Sequence, residues 1–259
     1  MLIVLPISVN DFKEPPNTFN FLKVFKNFGP YDQHNLLVVS RPSDKTYAKI
    51  IYDDLMHLFK SSSLHLFKED GPDGWPFGPN NYWKQTIQHL KDIDNTQPWL
   101  WMELDLLPLK PNWATILQNE YDACNKHCLG IVHDSLIQSI NKQPIKYAQH
   151  VQGTSVYYPR IDQISTVWEH VDVIERAFDM LVQWELVPLT QHTNLIQQGF
   201  RTIKYKIVSN KVPYIIQGED DGNRSALVTF DAPLDFDAVL HHGCKDVSLS
   251  DILLSEEYK

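Results

Sequence analysis

The chain has 259 residues, 43% hydrophobic and 12% aromatic, enough to bury a large core within one α/β domain. Its 23 Lys and Arg against 32 Asp and Glu give a formal net charge of -9, so the molecule as a whole is no electrostatic magnet for nucleic acid or anionic membrane. Three cysteines, Cys124, Cys128 and Cys244, are too few for a disulfide framework and fit a reducing compartment.

The opening MLIVLPISV is apolar but short and has no basic stretch before it, so it does not read as a signal peptide. No run reaches the roughly 18–20 residues that span a bilayer. The expectation is a soluble, cytoplasmic protein. Leu2–Leu5 reads as a strand buried on both faces, and Leu36–Val39 repeats the signal after a Pro- and Asn-rich connection. Tyr47, Ile50, Ile51, Leu55 and Leu58 recur at helical spacing, with Ser43 or Asp44 as the cap. Leu64–Phe67 is a third strand.

A loop rich in Gly and Pro, KEDGPDGWPFGPN, follows at 68–80 and leads into a helix beginning near Tyr82. WLWMELDL, 99–106, reads as the fourth strand. A helix from Pro111 to about Cys124 has its proline where a missing amide hydrogen does no harm. Further strands are expected at 129–132 and 153–158, and the longest amphipathic helix from Val167 to about Trp184. The last third mixes IKYKIV, YIIQ, ALVTF and FDAVL with the acidic turn GEDDGN. Alternating strands and helices argue for a single α/β domain with a mainly parallel sheet flanked by helices. The alternation holds to about residue 135, and the more irregular stretch 136–259 is expected to wrap that sheet.

Chemistry concentrates in three places. Glu103 and Asp105 lie two apart near the end of an apolar strand, so they point to one face and repel unless a cation sits beside them. Oxygen ligands of this kind suit Mg²⁺ or Mn²⁺; the competing reading is a solvated strand end. The DGWPFGPN loop precedes a helix N-terminus and can bring amides close to a phosphate, or can be a turn stiffened by Pro72, Pro76 and Pro79. Trp75 beside it either stacks on a ring or anchors the loop.

VLHHGCKD follows a strand-like run. His241 and His242 alternate sides, so one at most faces the cleft, and imidazole is a good third metal ligand with Lys245 as a phosphate counter-ion. CNKHC, 124–128, lacks four zinc ligands and reads as packing at the end of a helix. GEDDGN lacks the spacing of a calcium loop.

Together the strand ending in LPIS, the strand LVVSRPSD, the loop with GPN, the acid-x-acid ELD and the late HGCKD make the chain resemble the GT-A-type glycosyltransferases, with the flavour of small phage- or virus-like members. The resemblance implies a GT-A, Rossmann-like fold and a nucleotide-sugar donor, a UDP-sugar favoured, with Mn²⁺ or Mg²⁺ bridging its diphosphate; residues 1–135 would be the nucleotide-sugar-binding half and 136–259 the acceptor-binding half with the C-terminal metal and phosphate segment. It implies Asp105 as main ligand, Glu103 as a direct or water-mediated partner and His242 as the late ligand. Pro6, Ser8, Arg41, Gly78, Asn80, Trp83 and Lys245 then belong to the donor side, and Gly153, Thr154 and Trp75 to the acceptor side. The first acid is Glu where the family pattern has Asp, and the longer side chain makes Glu103 the less certain ligand.

An inverting reaction needs a carboxylate to deprotonate the acceptor hydroxyl. Asp179 is the first candidate, with Asp172 or Glu169 on the same expected helix as substitutes. A hydroxymethylated pyrimidine in phage DNA is one acceptor this implies, and the acidic net charge weighs against it. Two rival readings use the same residues: a sugar- or nucleotide-binding module without turnover, and a metal-dependent phosphohydrolase.

Overall fold

The structure, a computed structural model, describes residues 1–12, 15–133, 137–140, 143–146, 149–198, 203–209, 212–217, 232–233, 237–242 and 248–255. In chain order the strands and α-helices are β1 (Leu2–Ile7), α1 (Pro15–Asn27), β2 (Tyr31–Ser40), α2 (Lys45–Leu55), β3 (Phe59–Leu66), α3 (Phe77–Asp92), β4 (Trp99–Trp101), β5 (Leu106–Pro108), α4 (Trp113–Ala123), β6 (Cys128–His133), β7 (Ile137–Ile140), β8 (Gln143–Lys146) and β9 (His150–Tyr157). They continue with α5 (Phe178–Leu181), α6 (Gln183–Leu186), β10 (Thr190–His192), β11 (Ile196–Gln198), β12 (Ile203–Ser209), β13 (Val212–Gln217), β14 (Ala232–Pro233), β15 (Leu240–His242) and α7 (Ser248–Leu254).

A seven-stranded sheet in the order β10-β6-β9-β4-β1-β2-β3 forms the spine. β3, β2, β1 and β4 are mutually parallel, β9 is antiparallel to both β4 and β6, and β10 is parallel to β6. Only β9 therefore runs against the rest, and its first residue, His150, lies at the edge where the other strands end. The chain winds from β1 out to β3 and returns to β4 on the far side of β1. That reversal creates a crevice beyond the carboxyl ends of β1 and β4, where ligands of open α/β sheets bind.

Each face of the sheet carries its own core. On one, Ile3, Leu5, Leu36, Val38, Leu100 and Met102 pack against α1, α2 and α4. On the other, Val4, Val39, Trp99 and Trp101 pack against Trp83 of α3, Phe178 and Leu186. Burial on both faces explains why β1 and β2 read as unbroken apolar runs. Trp83 stacks on Phe178 at 4.7 Å between ring centroids, and Trp99 on Tyr157 at the same separation.

The mixed, mainly parallel sheet between helical layers agrees with the expected fold class, and four local expectations need correction. The connection after β1 holds α1: Pro15 and Pro16 sit in its first turn, and Phe21, Leu22, Val24 and Phe25 bury one face. The fourth strand ends at Trp101, and Leu106–Pro108 leaves the main sheet to pair with β15 in a small sheet ordered β11-β15-β5. Cys124 does not continue α4; its ψ of 148° turns the chain toward β6. The helix expected from Val167 to Trp184 is a 3-10 segment, Trp168–Val173, followed by the short α5 and α6.

The last break has an identifiable cause. Asn80, buried in the first turn of α3, donates from Nδ2 to the carbonyls of Val171 at 2.7 Å and Arg176 at 2.6 Å. Those carbonyls would serve as acceptors for later amides in a continuous helix. Among the described residues, no helix is long and apolar enough to cross a membrane.

Candidate metal centre

Beyond Met102 the chain turns sharply, with the amide of Leu106 bonded to the carbonyl of Glu103 at 3.0 Å. The two acids therefore sit on a turn rather than on a strand, and the argument from strand alternation does not apply to them. They converge through the register of the small sheet. β15 runs antiparallel to β5 with His242 opposite Leu106 and His241 opposite Leu107, which sets His242 beside Asp105. One ligand atom each from Glu103, Asp105 and His242 falls within 4.8 Å of the other two.

Nε2 of His242 lies 3.5 Å from Oδ1 of Asp105 and 3.7 Å from Oε2 of Glu103. Octahedral bonds of about 2.1 Å place adjacent ligand atoms about 3.0 Å apart, so a slight contraction closes the set around one divalent cation. Two carboxylates and one imidazole leave three octahedral positions for water or phosphate oxygens. The donor set fits such an ion.

Neighbours shape the three ligands. Trp101 donates from Nε1 to Oε1 of Glu103 at 3.3 Å, while Oε2 faces His242. Gln152 of β9 hydrogen-bonds Nδ1 of His242 from the opposite side. His241 points the other way, as alternation requires, and is fully buried. Burial, with the adjacent His242, holds its pKa down at about 3, so it stays neutral.

Acidic charge accumulates around this centre. Asp11, just past β1, accepts from the amide and hydroxyl of Ser8 at 2.7 and 3.1 Å. Burial first, then Glu103 and Asp105, push its pKa up to about 6. Asp179 of α5 is also raised, by burial and by Glu103, against the opposing effect of His150. Amides of Met180 and Gly153 hydrogen-bond its carboxylate, and its buried Oδ1 has no hydrogen-bond partner among the described residues.

On the β2 side the polar groups are internally matched. Arg41 is buried and binds Asp44 through Nε at 2.9 Å and Nη2 at 2.8 Å, and Asp73 through Nη1 at 2.9 Å. The ring of Tyr82 lies 5.7 Å below it, while the Tyr82 hydroxyl donates to Ile7 O at 2.8 Å and approaches Asp44 at 3.0 Å. This cluster fixes the loop at 70–76. Gly71 has φ +64° and a Cβ there would press on Asn81 at 2.6 Å, so only glycine suits the turn.

The structure brings Glu103, Asp105, His242 and, across the crevice, Asp179 to one end of the sheet. Ser8 sits at that end with its hydroxyl engaged by Asp11, and Pro6 lies within β1, paired with Val39. Trp75 stands on the rim loop with 75% of its surface exposed.

Several expected ligand contacts belong to the scaffold. Trp83 is fully buried against Phe178, so it supports the core rather than a donor. Asn80 spends its amide on Val171 and Arg176, and the amide of Gly78 is bonded to Gly74 O at 2.5 Å instead of facing a phosphate. Arg41 is committed to Asp44 and Asp73. Asp172 pairs with Lys84 at 2.9 Å in the contact between the 3-10 segment and α3, and Glu169 is exposed on that segment.

Gly153 lies where a Cβ would meet Phe178 at 2.9 Å, so its role is to let α5 approach β9. Thr154 is buried, and its hydroxyl has no hydrogen-bond partner among the described residues. Lys245 and GEDDGN lie outside the described residues. Sequence reasoning missed Asp11 and Gln152. An acid just past the end of the first buried strand signalled the former; nothing local marked the latter.

No protein-family model and no curated protein matches the chain. Solved structures do. Mouse xyloside xylosyltransferase 1 in its apo form is 10% identical, covering 76% of this chain and 87% of its own, with a TM-score of 0.49. Similarity of fold is the whole of that finding. The galactosyltransferase LgtC with donor and acceptor sugar analogs is 11% identical over 76% of each chain, with a TM-score of 0.44. A 4-diphosphocytidyl-2C-methyl-D-erythritol synthase is 13% identical, over 73% of this chain and 86% of its own, with a TM-score of 0.46. At such identities none of them says what this chain binds.

Proposed function

We propose that the protein is a metal-dependent glycosyltransferase that takes a sugar from a nucleoside-diphosphate sugar. The observation that carries this reading is the convergence of Glu103, Asp105 and His242 at the crevice where the parallel strands end. It is joined by the resemblance of the ELD and HGCKD segments to the GT-A pattern.

Glu103, Asp105 and His242 hold the cation in this reading, and the imidazole favours Mn²⁺ over Mg²⁺, which prefers an all-oxygen shell. The bound ion supplies Lewis-acid stabilisation of the departing diphosphate. Trp101 steadies Glu103, and the apolar walls formed by Trp101 and Met102 keep the strand end rigid. Asp179 is the proton acceptor for the incoming hydroxyl: its raised pKa brings it nearer the working range of a general base, and its Oδ1 is uncommitted. Trp75 on the rim offers an exposed ring for a sugar acceptor to stack on.

The test is calorimetric binding and turnover of a panel of UDP- and GDP-sugars with Mn²⁺, with sugars and with plain or hydroxymethylated DNA as acceptors. Binding and transfer that vanish in Asp105→Ala support the reading. If no donor binds, or Asp105→Ala behaves as wild type, the reading fails. Phosphate release from simple nucleotides without sugar transfer establishes the hydrolase instead.

A further inference from the structure

His242 can bind a cation through Nε2 only if that nitrogen carries no proton, which requires the proton on Nδ1. Nδ1 does not face solvent; it meets the side-chain amide of Gln152, whose Nε2 donates to it. In that arrangement Nδ1 is an acceptor, and Nε2–H points between Oδ1 of Asp105 and Oε2 of Glu103. An amide N–H cannot oppose an imidazole N–H. Cation binding therefore demands that Gln152 present its carbonyl oxygen to His242.

Gln152 is not isolated either. Its side chain also approaches His133, the last residue of β6, and His133 lies directly opposite His150 in the β6–β9 ladder with their rings 5.0 Å apart. We propose that His133, Gln152 and His242 form a relay of three side chains whose hydrogen-bond polarity reverses when the cation binds, so that Gln152 sets the metal affinity of His242. This rests on the reading of Glu103, Asp105 and His242 as a metal centre.

Without the cation, the amide of Gln152 donates to Nδ1 of His242, and its carbonyl lies on the side of His133. With it, Nδ1–H of His242 donates to the carbonyl of Gln152, and the amide donates back to an unprotonated nitrogen of His133. The reversal is open to these groups because an amide offers a donor and an acceptor and a neutral imidazole offers one of each. Burial and the nearby His150, His192 and His242 hold His133 below its ordinary pKa, which keeps it neutral and able to take either role. Gln152 is thus a positioning residue: it touches a ligand and no reacting atom.

The experiment measures Mn²⁺ affinity by electron paramagnetic resonance, with the pulsed nitrogen coupling of His242 to bound Mn²⁺ as a second readout. Gln152→Met keeps the volume and removes both polar atoms; its affinity is expected to fall by about 10–100-fold, with the nitrogen coupling weakened. Gln152→Glu, whose carboxylate accepts from Nδ1–H, is expected to bind at least as tightly as wild type. Gln152→Asn, which withdraws the amide by one methylene, follows Gln152→Met and serves if that variant does not fold.

Equal affinity in wild type and Gln152→Met overturns the relay, as does a Gln152→Glu variant that loses affinity as far as Gln152→Met. A wild-type protein that binds no Mn²⁺ overturns the metal centre itself, and the relay with it.

Discussion

Two polar clusters lie at the same end of the sheet and differ in their charge balance. Around Arg41, one buried guanidinium faces Asp44 and Asp73, and Tyr82 closes the set, so the charges are matched within the protein. Around Glu103 and Asp105, two further acids, Asp11 and Asp179, add to the negative charge, and the groups that face them among the described residues are the imidazoles of His242 and, beside Asp179, His150. A matched cluster stabilises a loop. A mismatched one costs folding energy that the fold tolerates and a bound cation relieves. The contrast separates scaffold from site more sharply than residue type does, since the sequence resemblance implied a ligand for both, the donor for Arg41 and the cation for Asp105.

Breaking the matched cluster has the largest expected effect on stability. Arg41→Met leaves Asp44 buried and unpaired and is expected to cost about 3–5 kcal/mol, read from urea unfolding, with the exposed Asp73 arm contributing little. Breaking the mismatched cluster has the opposite signature. Asp105→Asn is expected to leave the metal-free melting temperature unchanged or higher, because a repelling charge is gone. Mn²⁺ binding in the same variant weakens by more than about 100-fold, beyond the range of outer-shell changes. A large loss of metal-free stability there would place Asp105 among the scaffold groups.

A third test uses a histidine pair outside both clusters. His65 and His89 stack face to face at 3.6 Å, and burial, then His65, lowers the pKa of His89 to about 4. The folded state thus binds this proton less readily than the unfolded chain, whose histidine titrates near 6.5. The stability His89 contributes is present above pH 6.5 and is lost as the pH falls toward 4. Melting temperatures across that window should drop in wild type and drop less in His89→Gln; identical slopes would show that the pair is not the source. The smallest effect belongs to Trp75→Ala, expected within about 0.5 kcal/mol of wild type because the ring is exposed. If Trp75 serves the acceptor, KM for that substrate rises while the melting temperature stays put.

Much of the site was legible locally. Charges embedded in WLWMELDL are expensive without a partner, which marked Glu103 and Asp105, and strand alternation split His241 from His242 correctly. The reason given for the two acids sharing a face was wrong. They are brought together by a turn, and the turn exists because Leu106–Pro108 pairs with Leu240–His242. The long helix expected at 167–184 fails for a related reason: helical spacing of apolar residues also describes short helical pieces packed on one core. What breaks the helix is Asn80 capturing its carbonyls.

Hydrophobic periodicity and composition therefore determined the α/β class, the buried strands β1 and β2, and the identity of the two acids set in an apolar run. Those properties follow from each segment's own burial and charge. Only the tertiary structure decided which groups answer those acids, because His242, Asp179 and Gln152 reach the crevice through strand register and close packing between elements distant in the chain. It likewise consigned Arg41, Asn80 and Trp83 to the scaffold, since a polar or aromatic side chain is a ligand contact only when the fold has not already supplied its partner.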